Sequence, residues 1–86
     1  MIKTYSSDYE GKEAFVKEVL SPLLIQADTG WYGAEYEAKF NETHQVEREY
    51  VWLLSKNGVR NKCVNVYANS LEAIIRDVFR NLYLKQ

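Results

Sequence analysis

His44 and Cys63 are the only histidine and the only cysteine of the chain, so a cysteine–histidine arrangement could be built from these two alone. Nucleophilic catalysis needs a nucleophile, a base and a group that orients the base within hydrogen-bond reach. Cys63 follows Lys62, whose charge would favour a thiolate. His44 falls in the polar stretch Asn41 to Gln45, and no third member accompanies the two. Cys63 therefore reads as a small packing residue and His44 as part of a solvated loop. Structural zinc takes about four Cys or His ligands, of which this chain offers one each. Asp8, Glu10 and Glu13 could face a hard cation, but they fall where the first turns of a helix favour negative charge. Gly11, Gly30, Gly33 and Gly58 match neither the Walker nor the dinucleotide spacing. The expectation is a protein without catalytic residues, metal or cofactor.

The elements that carry these residues must fit into 86 positions, enough for one domain spanning 1–86 with a thin core. The balance of 47% hydrophobic and 27% charged residues is that of a folded domain rather than a disordered segment. An aromatic share of 14% helps a small core without disulfides or metal, and leaves side chains over for a binding surface. A single cysteine allows no internal disulfide, which points to a reducing compartment and a cytoplasmic location. No apolar run is long enough to span a bilayer, so no membrane role is expected. A formal net charge of −1 supplies no general basic field for nucleic acid.

Ser7-Asp8-Tyr9-Glu10 reads as a capping box opening a helix whose apolar stripe is Phe15, Val16, Val19, Leu20, Leu23 and Leu24. Pro22 should kink that helix or make it stop and restart with Ser21 as cap, and Asp28-Thr29-Gly30 closes it. From Trp31 the period changes to two. Ala34, Tyr36, Ala38 and Phe40 share one side of a first strand, with Glu35, Glu37 and Lys39 on the other. In a second strand Val46, Tyr50, Trp52 and Leu54 alternate with Glu47, Glu49, Val51 and Leu53. Pairing Phe40 with Val46 would put both aromatic sides on one face. Asn57-Gly58 signals a hairpin. A three-residue loop with Gly58 in the left-handed region keeps asparagines out of the core and puts Val64 and Val66 into it, together with Arg60 and Lys62 as snorkelling side chains. Asn69-Ser70-Leu71-Glu72 caps a final helix with the stripe Leu71, Ile74, Ile75, Val78, Phe79, Leu82 and Tyr83. Residues Ile2 to Tyr5 read as an additional short edge strand. The fold class is α+β: a three-stranded antiparallel sheet with N- and C-terminal helices packed on one face.

That reading leaves an outer sheet face carrying Glu35, Glu37, Glu47 and Glu49 beside Val51 and Leu53, with Tyr67 on the third strand. Exposed apolar surface rimmed by charge marks a partner site. The functional expectation is a small non-enzymatic interaction module, a regulator, inhibitor or accessory subunit of the kind phages also encode, binding a protein through this face. A homodimer through the same face is the alternative occupant.

The order helix, three antiparallel strands, helix resembles the double-stranded RNA-binding domain. That resemblance implies RNA contacts from the first helix, the loop between the first two strands and lysines opening the last helix. Here the loop is Asn41-Glu42-Thr43-His44-Gln45 and the last helix opens Asn69-Ser70-Leu71-Glu72, without lysine. A nucleic-acid reading would instead rest on Arg60 and Lys62 at the hairpin with Arg76 and Arg80 on the last helix.

Overall fold

The computed structural model describes residues 4–67 and 70–84. The first helical region begins at α1 (Tyr9–Phe15), continues through a π-helical segment (Val16–Leu20) and ends as α2 (Ser21–Gln26). Its cap is Asp8 rather than Ser7. The Asp8 carboxylate accepts from the Gly11 N–H at 2.8 Å and from the Ser6 hydroxyl at 2.6 Å. The Ser6 hydroxyl, followed by the Gly11 N–H, holds the Asp8 carboxyl below the ordinary carboxylate range. Gly11 is required at this point because a Cβ there would collide with the Ser6 carbonyl.

Pro22 neither breaks the helix nor restarts it. It has no N–H to offer, and its ring would press on the carbonyl one α-turn earlier. The wider π turn just before it relieves this crowding, with the Ser21 N–H bonding to the Val16 carbonyl five residues back. Beyond α2, Asp28 and Gly30 adopt positive φ, and the Thr29 hydroxyl closes the helix by donating to the Leu24 carbonyl.

Strands β1 (Gly33–Phe40), β2 (Val46–Leu54) and β3 (Arg60–Val66) form an antiparallel sheet in the order β1-β2-β3, followed by α3 (Leu71–Tyr83). The β2–β3 hairpin has the expected three-residue loop. Ser55 N–H bonds to the Val59 carbonyl and Gly58 sits at φ 78°. Ser70 caps α3, its hydroxyl accepting from the Ala73 N–H. Asn69 and the first residues of the expected edge strand, Ile2 and Lys3, lie outside the described residues. Thr4 and Tyr5 are not strand; the Tyr5 ring packs edge-on against Phe15.

The face assignment of β2 is the main correction. Phe40 does pair with Val46, as expected, but the next pair is Lys39 with Arg48, so Glu47 is bulged out. A second bulge at Asn61 separates the pairs Leu54–Arg60 and Leu53–Lys62. Each bulge shifts the alternation by one residue. Between them Tyr36, Val51 and Val64 lie in one cross-strand row, and Val51 and Leu53 face the helices instead of Tyr50, Trp52 and Leu54. Arg60 moves with them, to the side opposite the helices, whereas Lys62 keeps its expected side.

The core is one cluster that joins Val16, Leu20 and Leu24, the inward side chains of all strands, and Ala73, Ile74 and Val78 of α3. Both helical regions therefore cover the same face of the sheet. Ser21 adds a polar clasp at the β1 end, where its hydroxyl oxygen accepts from the Ala34 N–H at 2.9 Å.

Candidate interaction surface

The face turned away from the helices carries Glu35, Glu37, Tyr50, Trp52, Leu54, Arg60 and Cys63. Trp52 lies at its centre, half-buried among its neighbours. Its indole N–H donates to Glu37 Oε1 at 2.9 Å, and the Arg60 guanidinium stands over the ring at 5.3 Å from the centroid. Arg60 is held there by an ion pair with Glu35 at 2.8 Å, which pushes the guanidinium pKa further up. The chain thus fixes Trp52 on two sides with its own charges, and each of those charges has a partner. Tyr50 lies between Glu37 on β1 and Asn65 on β3 in the neighbouring row. Cys63 pairs with Trp52 across the strands; burial, then the Glu37 carboxylate, raises its thiol pKa, which makes it a poor nucleophile at neutral pH.

The expected partner residues divide. Glu35 and Glu37 are on the open face, and Tyr67 is 78% exposed at its β3 end. Glu47 is the exposed bulge residue at the far end of β2. Val51 and Leu53 are fully buried and cannot be part of any surface. Glu49 is on the helix side, where Lys12 reaches it at 2.8 Å with both side chains nearly buried, and where the Tyr36 hydroxyl donates to it at 2.5 Å. Burial, followed by this carboxylate, pushes the Tyr36 phenol well above its ordinary value. The residues that sequence reasoning placed in the core, Tyr50, Trp52 and Leu54, are the ones that line the open face. Their signal was the polar indole N–H of Trp52, which needs an acceptor when partly covered and finds one in Glu37.

The four cations of the nucleic-acid reading are not brought together. Arg60 is on the open face and Lys62 pairs with Leu53 on the covered one. Arg76 bonds to Asp77, whose other oxygen accepts from the Tyr67 N–H at 2.7 Å, and Arg80 is exposed on α3. His44 sits at φ 62° in the β1–β2 turn, where Asn41 Oδ1 accepts from the N–H groups of Thr43 and Gln45, so its position is dictated by the turn. Among the described residues no three His, Cys, Asp or Glu side chains gather as a metal site would require, and no helix is long and apolar enough to cross a membrane. Comparison with protein-family models, with curated proteins and with solved structures returned no match.

Proposed function

We propose that this chain is a small non-enzymatic interaction module, a regulator, inhibitor or accessory subunit working in the cytoplasm, that binds a protein partner through its open sheet face. The observation that carries this reading is the placement of both helical regions on one side of the sheet, leaving Trp52, Tyr50 and Leu54 on the other. Trp, Tyr and Arg are the residues most enriched where binding energy concentrates. Here Trp52 and Arg60 are already stacked, so little side-chain freedom is left to lose on association. Glu35 is neutralised by Arg60, whereas the Glu37 carboxylate accepts from the neutral indole N–H, so a partner covering this face would bring a cation or a hydrogen-bond donor to Glu37.

The test is to capture a partner on the immobilised protein, purify it and measure its affinity for wild type and for Trp52→Ala. A central aromatic anchor should cost on the order of 2 kcal/mol, about thirtyfold in affinity. Unchanged affinity, with the variant still folded by circular dichroism, would remove the open face from the function.

A further inference from the structure

β1 is an outer strand of the sheet, and among the described residues no strand lies beyond it. Ala34 turns its N–H away from β2, to Ser21 Oγ. Backbone alternation turns the peptide groups of Tyr36 and Ala38 the same way, so β1 presents open donors and acceptors along its free side. A groove of about 650 Å³ opens at this edge beside Glu35 and Tyr36. Glu35, Tyr36 and Arg60 are among its lining residues on the sheet side, and Glu10, Glu13 and Lys17 on the α1 side and just beyond it. Glu35 is committed to Arg60, whereas Glu10 and Glu13 are exposed and have no side-chain partner among the described residues.

We propose that this groove takes an extended basic segment of a partner protein, which adds to β1 as a further strand and sets lysine or arginine side chains against Glu10 and Glu13. Main-chain pairing to Tyr36 and Ala38 would provide the affinity, and the two carboxylates the selectivity. The spacing is compatible. Side chains three apart on a helix are neighbours at roughly 5–6 Å, and every second residue of a strand returns to the same side after roughly 6.6 Å. Basic residues at alternate positions therefore meet both carboxylates. A second copy of this chain fits worse, because β1 paired with β1 would set Ala34, Tyr36 and Ala38, with no basic side chain among them, on the side that faces Glu10 and Glu13.

The experiment is a titration of the isotope-labelled full chain, followed by amide NMR, with a blocked heptapeptide that alternates lysine and valine. The largest saturable shifts are expected at the Tyr36 and Ala38 amides. Methylating the alternate peptide nitrogens that face β1 should abolish them, and Glu10→Gln combined with Glu13→Gln should weaken binding about fivefold, as two exposed charge pairs allow. The proposal is overturned by shifts centred on the Trp52 indole, by equal affinity in the double variant, by self-association through β1 without peptide, or by no saturable response. The Trp52→Ala variant should still bind the peptide, which separates this site from the open face.

Discussion

Val51 and Leu53 point into the layer between sheet and helices, while Tyr50, Trp52 and Leu54 of the same strand point away from it. Both sets are apolar, and composition alone gives the aromatics the better claim to burial. On the covered side Val51 and Leu53 meet Val64 and Val66 in the thin space beneath the helices, and the polar atoms that share it, the Tyr36 hydroxyl, Glu49 and Lys12, satisfy one another. The aromatic side takes the position where its polar atom has a carboxylate beside it. In so small a domain, then, the core is set by what is dry or can be paired inside it. The surplus of large aromatics becomes surface.

The strongest way to break this contrast is to damage the dry side. Leu53→Ala removes a fully buried side chain and should cost about 3 kcal/mol in urea unfolding, while Leu53→Arg should prevent folding altogether. A Leu53→Ala loss below about 1 kcal/mol would mean that Leu53 is not a core residue. Next comes the one charged cluster on that side. Glu49→Ala leaves Lys12 nearly buried without its carboxylate and should cost about 2 kcal/mol, with a weaker effect from Glu49→Gln. Equal stability of wild type and Glu49→Ala would show that the cluster holds nothing together.

How much of this was legible in the sequence differs from strand to strand. On β1 the alternation has one apolar and one polar side, so Ala34 and Tyr36 could be assigned to the core directly, whereas on β3 Val64 and Val66 followed from the loop length that keeps Asn61 and Asn65 out of the core. The three-residue turn at Gly58 followed from its neighbours. On β2 both sides carry apolar residues, and the decision belongs to bulges at Glu47 and Asn61, which no local pattern marks. Glu49 looked like surface because its partner Lys12 comes from a helix 37 positions earlier. Pro22 looked like a break because the π turn that accommodates it has no sequence signature. The side expected to be open was thus the open one on β1 and the covered one on β2, where Tyr50 and Trp52 stand on the open face in place of Val51 and Leu53.

A smaller effect follows from Tyr36. Its folded-state phenol pKa is raised above the ordinary value of about 10. The stabilisation is therefore complete below pH about 10 and is lost as the pH climbs above it, because the unfolded phenol ionises first. Urea midpoints measured from pH 8 to 11 should fall at the alkaline end, and Tyr36→Phe should flatten that fall. A variant as alkali-sensitive as wild type would place the effect elsewhere. Smallest of all is the stability change on the open side. Trp52→Ala should cost no more than about 1 kcal/mol, since the ring is half-buried and gains mainly from the Arg60 stack. A loss as large as that of Leu53→Ala would erase the distinction between the two faces.

Hydroxyl-radical footprinting of the complex with its captured partner tests the function of the open face most directly. Oxidation of Trp52 and Tyr50 should drop severalfold on binding, while Tyr83, 62% exposed at the end of α3, keeps its rate. Unprotected Trp52 and Tyr50 in a saturated complex would contradict the account.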